Sequence, residues 1–136
     1  MSADSPVEVT AFMTLYFDGA SKGNPGPSAW GWVLVDKEGN KEEGQHARLP
    51  VTTNNVAEYT ALLEGLRYLK EKSITNVVIK GDSSLVVNQL NKKKKSSEEY
   101  CWRCNNEKLI PLRDKCAALL NELFPEGYSL IHCLLY

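Results

Sequence analysis

The sequence predicts an α/β domain: a three-strand antiparallel meander, then a helix, then a fourth strand laid parallel to a meander strand. Two observations carry this. Turn residues split the N-terminal third into three β-rich runs with no room for helices between them. The apolar spacing then lengthens to a helical period after Asn55 and shortens again at Asn76, and a helix between two strands is the usual crossover of a parallel pair.

Each element has its own signal. Residues 1–11 are small and polar without periodicity, a frayed lead-in to a domain expected over 12–136. Thr14 to Asp18 is β-rich and stops at Gly19, and Lys22-Gly23-Asn24-Pro25-Gly26-Pro27 is turn chemistry throughout. Ala29 to Val35 forms the second strand, Asp36 to Asn40 a hairpin loop, and Glu43 to Leu49 the third. Thr53 and Asn54 offer the N-cap of a helix whose stripe is Leu62, Gly65, Leu66 and Leu69. Asn76 to Lys80 is the fourth strand, and Asp82-Ser83-Ser84 caps a short helix from Leu85 to Leu90. Asn91 to Asn106 reads as polar loop, Leu109 to Leu123 as a helix with Pro111 in its first turn, and Tyr128 to Tyr136 as a fifth strand.

With 136 residues, 43% of them hydrophobic and 24% charged, the chain has the profile of one globular domain and excludes a second. No apolar run approaches the roughly 18 residues of a membrane span, and Met1 to Glu8 is neither basic nor apolar, so the expectation is a cytoplasmic or nuclear protein with no membrane contact and no secretion. The net charge of -1 excludes a whole-protein field that would draw in a polyanion, so any nucleic-acid contact must be local. Lys92 to Lys95 form the one basic block, readable as a solvated loop or as a phosphate-contacting patch. Four cysteines, at 101, 104, 116 and 133, are expected as reduced thiols. Cys101 and Cys104 have the spacing of half a zinc site, but the adjacent His132 and Cys133 would complete it poorly.

Three carboxylates stand where folding alone would not put them. Asp18 ends the first strand and Asp82 the fourth, so parallel neighbours would bring both acids to one carboxyl edge, where open α/β sheets bind ligands. Glu58 begins the sheet-facing stripe of the first long helix with a charge. Taken singly, these are a turn Asp, an N-cap and a dipole-compensating Glu. Together they would repel one another unless a cation lay between them, and magnesium, with manganese as the substitute, is the economical one. Two such ions would suit an in-line phosphodiester displacement.

The run Tyr16-Phe17-Asp18-Gly19-Ala20-Ser21-Lys22-Gly23-Asn24-Pro25-Gly26-Pro27, then Thr53-Asn54-Asn55-Val56-Ala57-Glu58-Tyr59, then Gly81-Asp82-Ser83-Ser84-Leu85-Val86-Val87-Asn88-Gln89-Leu90, resembles the cellular type 1 ribonucleases H, nearest the compact archaeal and bacterial form. The resemblance runs from about residue 12 to 133. It implies a ribonuclease H-like five-stranded mixed sheet, strands one to three antiparallel and four and five parallel, flanked by helices. It also implies metal-dependent hydrolysis of the RNA strand of RNA/DNA hybrids, with Asp18, Glu58 and Asp82 catalytic and, with Gly19, metal-binding. Gly19, Ser21, Asn24, Asn54 and Asn55 match positions that lie in the hybrid's minor groove, Thr53 one that helps hold a DNA phosphate, and Ser83 a further nucleic-acid contact. Uncharged amides suit that task, because they can read 2′-hydroxyls and base edges. The asparagines could equally cap the helix.

Two departures from the family pattern stand out. A terminal helix bearing a fourth metal-binding Asp is not found before Tyr136, and the basic helical handle of larger bacterial enzymes is replaced, if at all, by Lys92 to Lys95. The expectation is therefore a two-metal RNA/DNA-hybrid endoribonuclease, with activity impaired by the missing acid. The rival is a weak or inactive ribonuclease H-like module that binds nucleic acid or protein. Self-association through apolar surface around Leu130, Leu134, Leu135 and Tyr136 is also expected.

Overall fold

The computed structural model describes residues 12–94 and 97–134, with the backbone alone for 46–50. The expectations for residues 1–11, Lys95, Leu135 and Tyr136 lie outside the described residues. In order, the elements are β1 (Met13–Ser21), β2 (Gly26–Val35), β3 (Lys41–Thr52), α1 (Asn54–Glu71), β4 (Val77–Gly81), α2 (Ser84–Leu90), α3 (Ile110–Leu123) and β5 (Ile131–His132). They form one five-stranded sheet in the order β3-β2-β1-β4-β5. The pairs β1–β2 and β2–β3 are antiparallel, whereas β1–β4 and β4–β5 are parallel. The meander and the crossover are both present as the sequence predicts.

Burial follows the periods of the elements. Leu15 and Phe17 of β1, Trp32 and Leu34 of β2 and Ile79 of β4 point to one face, and α1 covers them with Leu62, Leu66 and Leu69. On its other side α1 meets α3, where Cys116 and Leu120 are fully buried. That double burial accounts for an α1 surface richer in apolar residues than a single stripe. Trp32 and Tyr68 stack with ring centroids 4.5 Å apart, and the Tyr68 hydroxyl donates to Glu42 Oε1 at 3.1 Å, tying α1 to β3.

Several strand bounds differ from expectation: β1 runs past Gly19 to Ser21, and β2 begins at Gly26, inside the expected turn. The third strand is longer than Glu43–Leu49 because its pairing with β2 continues across irregularities near Ser28 as far as Thr52. The fifth strand, expected from Tyr128, is only two residues long, because the chain leading into it pairs elsewhere. Leu130 N donates to Asn91 Oδ1 at 2.7 Å and Asn91 Nδ2 donates to Leu130 O at 2.9 Å, so one side chain occupies both polar groups of that residue. The Tyr128 hydroxyl meanwhile donates to Leu90 O at 2.8 Å. The C-terminal end of α2 thus acts as a surrogate neighbour for the start of β5.

Asn91→Ala removes both bonds and is expected to cost about 1–3 kcal/mol. Hydrogen exchange should speed up at Leu130, Ile131 and His132 while β1 stays protected. Unchanged protection at Leu130 would show that the side chain does not hold this segment.

Candidate active site

The site begins with strand register. Phe17 of β1 is level with Gly81 of β4, so the residues that follow, Asp18 and Asp82, emerge side by side at the carboxyl edge of a parallel pair. Gly81 is required there: a Cβ would fall 2.2 Å from Phe17 Cζ, inside the buried ring. The third acid arrives from α1, whose backbone passes against the end of β1. A Cβ on Gly19 would lie 2.3–2.5 Å from Ala57 C, Ala57 O and Glu58 N, so glycine alone permits this approach. Gly19 N then donates to Glu58 Oε1 at 3.1 Å.

Helix capping explains neither Asp82 nor Glu58. Thr53 caps α1, accepting from Val56 N at 3.3 Å, and Ser83 rather than Asp82 caps α2, accepting from Val86 N at 3.2 Å. Neither helix has an acid in its first turn. The hydroxyls of Thr53 and Ser83, expected at the nucleic-acid surface, therefore have a structural task as well.

Electrostatically, Asp18 and Glu58 are perturbed first by burial and then by the neighbouring acids. Burial raises the Glu58 carboxyl from 4.5 to about 8, Asp18 adds to the rise, the Gly19 amide opposes it, and Asp82 contributes further. Asp18 is also raised, first by desolvation, against the lowering effect of the Gly19 amide and with Asp82 adding to the rise. Among the described residues no three His, Cys, Asp and Glu side chains close into a ready-made metal cage. The donor set nevertheless fits a hard divalent cation. It offers only carboxylate oxygens, those carboxylates repel one another, and magnesium typically binds through one or two of them while keeping water.

Beside the acids lies an uncharged network. Ser21 N donates to Asn54 Oδ1 at 2.7 Å, and Ser21 Oγ lies 2.9 Å from the same oxygen and 2.6 Å from Gly23 O. Asn54 N donates to Asn24 Oδ1 at 3.0 Å. These bonds join the β1–β2 turn to the start of α1, and they direct the amide nitrogen of Asn54 away from its engaged oxygen. Sequence reasoning did not foresee the contact of His132, whose Nε2 lies 3.1 Å from Asp82 O. Only the register of β4 and β5 brings the two together.

Two lysines of the basic block are engaged within the protein. Lys92 pairs with Glu98 at 3.8 Å and Lys93 with Glu99 at 3.1 Å, across a short antiparallel bridge between Lys92 and Tyr100. All four cysteines are free thiols.

Residues 16–116, which include all three acids, match the family described as "Reverse transcriptase-like". Ribonuclease HI of Halobacterium salinarum is 40% identical over 94% of this chain and 63% of its own length. Ribonuclease H of Chlorobium luteolum is 45% identical over 56% of this chain and 49% of its own. The chain thus spans between about half and 63% of these curated relatives. Among solved structures, RNase H1 from Halobacterium salinarum superposes with a TM-score of 0.71 at 35% identity, covering 90% of this chain and 86% of the other. LC11-RNase H1 in complex with RNA/DNA hybrid gives 0.74 at 29% identity, covering 90% and 86%. Strand order, the matched segment and identity across most of a solved chain agree, and the protein belongs to the ribonuclease H1 family.

Proposed function

We propose that this chain is an endoribonuclease that hydrolyses the RNA strand of RNA/DNA hybrids with divalent metal ions, magnesium first and manganese as a substitute. One observation carries the reading: Asp18 at the end of β1, Glu58 of α1 and Asp82 just past β4 lie at one sheet edge, where burial raises the proton affinity of Glu58 and the charges of Asp18 and Asp82 add to the rise. Asp18, between the other two in the electrostatic coupling, would hold the metal with Glu58 and Asp82, the Gly19 backbone standing beside them. When bound, the cation supplies charge neutralisation and Lewis-acid activation for phosphodiester hydrolysis.

The residues of the chain do the rest. The Gly19 amide fixes the Glu58 carboxylate, and the short step from Gly81 to Ser83 limits where Asp82 can move. Asn24, Asn54, Asn55 and Ser21 present an uncharged face to the minor groove, where hydroxyls distinguish RNA from DNA. Thr53 and Ser83 lie at the two helix starts, in reach of backbone phosphates. LC11-RNase H1, similar in fold, is known in complex with an RNA/DNA hybrid, which supports the same partner here. Cleavage of a labelled hybrid, with single-stranded RNA, duplex RNA and duplex DNA as controls, tests the proposal directly. A protein that binds the hybrid and cleaves nothing in magnesium or manganese would instead be the inactive module.

Asp18→Asn should lower hybrid cleavage by more than the roughly 10–100-fold typical of losing a supporting metal-site residue, with the fold intact by circular dichroism. Retention of wild-type rate would remove Asp18 from the site.

Glu58 sets a pH dependence whose sign is fixed. Its folded-state value lies above the unfolded one, so folding favours the protonated form, and metal-free stability falls as pH rises from about 4.5 to about 8. Glu58→Gln should flatten that slope, raising the metal-free melting temperature at pH 8 more than at pH 5. Equal shifts at both pH values would contradict the buried, coupled carboxylate.

Replacing Asn54 and Asn55 by Ala should weaken hybrid binding by about 1–3 kcal/mol, the scale of lost polar contacts, measured by anisotropy in chelator. Unchanged binding would reduce the pair to supports of the β1–β2 turn.

A further inference from the structure

Trp102 is a large aromatic that is 46% exposed although its backbone is held by hydrogen bonds. Cys101 N donates to Asn91 O at 2.8 Å and Trp102 N to Asn88 O at 2.8 Å. Arg103 O accepts from Gln89 Nε2 at 2.9 Å, and buried Gln89 in turn accepts from the Tyr59 hydroxyl at 2.7 Å. The segment is thereby stitched to the C-terminal end of α2 and through it to α1. An indole presented from a fixed base loses little freedom when something stacks on it.

The charges around it are sorted. Lys93 is paired with Glu99, and Arg113 with Asp114 while also lying 4.5 Å over the Tyr100 ring. Arg103 has no ion-pair partner among the described residues, so one uncommitted cation adjoins one open aromatic face. Both border an open groove of about 540 Å³. Most of the groove's other lining residues, Lys93, Glu98, Glu99, Asn105 and Arg113, are charged or polar, which leaves little contiguous apolar area for a protein to dock.

We propose that Trp102 and Arg103 form a landing platform for unpaired nucleotides that flank the hybrid, a site separate from the acids. Its placement rests on the hybrid-cleaving reading above. A paired base has both faces covered by its neighbours, whereas an unpaired one offers a face to stack, and its phosphate suits a guanidinium. The distance fits as well. Helix α2 starts directly after Asp82 and Ser83, and its seven residues carry the chain about 10 Å to the platform, which is about three nucleotide steps of a strand.

The test compares a blunt RNA/DNA hybrid with the same hybrid carrying a DNA or an RNA overhang, in chelator, by anisotropy and tryptophan fluorescence. An overhang should tighten binding roughly 5–150-fold for a stacked base and quench the exposed indole. Trp102→Ala should abolish that gain and leave blunt-hybrid binding unchanged, and Trp102→Phe should keep most of the gain but lose the quench. Arg103→Gln should lower the log-log salt slope of the gain by about 0.7, the value for one phosphate on a single strand. A gain with either polymer supports the platform and identifies the strand that crosses it. No gain in the wild type, or a gain that survives in Trp102→Ala, overturns it. Failure of the wild type to bind the blunt hybrid, with the overhang gain intact, overturns the hybrid reading and leaves the platform standing.

Discussion

The site depends on one close approach, that of α1 to the end of β1 at Gly19. Any side chain there would collide with the backbone of Ala57 and Glu58, and backbone cannot swing aside as a flexible side chain can. The same residue supplies the amide that holds Glu58 Oε1. Steric permission and the polar tether therefore come from one position, next in sequence to Asp18. Because α1 also lies between the sheet and α3, displacing its N-terminal end would disturb the packing of Tyr59 and, through it, of Gln89 and α2. The second glycine, Gly81, does the corresponding work on β4 by yielding its space to the Phe17 ring.

This arrangement concentrates like charge where a stable fold would disperse it. A half-buried carboxylate raised to about 8 opposes folding at neutral pH, and among the described residues no basic side chain contributes to the environment of Glu58 to relieve it. Elsewhere the fold is frugal with such conflicts. Among the described residues no buried side-chain nitrogen or oxygen lacks a hydrogen-bond partner. The conflict is thus confined to one edge of the sheet, as expected of a place shaped by chemistry rather than by stability.

The architecture was legible in the sequence because its signals are local. The turn residues from Lys22 to Pro27, the leucines of α1 and the shift in apolar period each act within a few positions, and the motif order then linked them to a family. The identity of the caps was less legible, since Asp82, Ser83 and Ser84 are all acceptable N-caps and only geometry selects Ser83. The length of β5 was hidden for a different reason. Its residues are β-rich, but the partner of Leu130 is a side chain 39 positions away, and no pattern within the strand records that. The contact of His132 with Asp82 was concealed similarly, arising from the register of β4 and β5.

The pairing of the lysines changes how a nearly neutral protein of this family would meet a polyanion. Lys92 and Lys93 each have a glutamate partner, so their charge is available to a phosphate only if that pairing is given up. Exposed ion pairs of this kind contribute little to stability, so exchanging a glutamate for a phosphate is inexpensive, but the net attraction gained is correspondingly small. On the proposed reading, contacts that need little net charge would then carry more of the recognition: amides such as Asn54, whose oxygen is engaged by Ser21, and aromatic surface such as Trp102, whose backbone is held by α2. These contacts are short-ranged and direction-dependent. In exchange for weaker long-range steering, they would make discrimination between nucleic acids a matter of geometry, and geometry is what the junction of β1, α1 and α2 supplies.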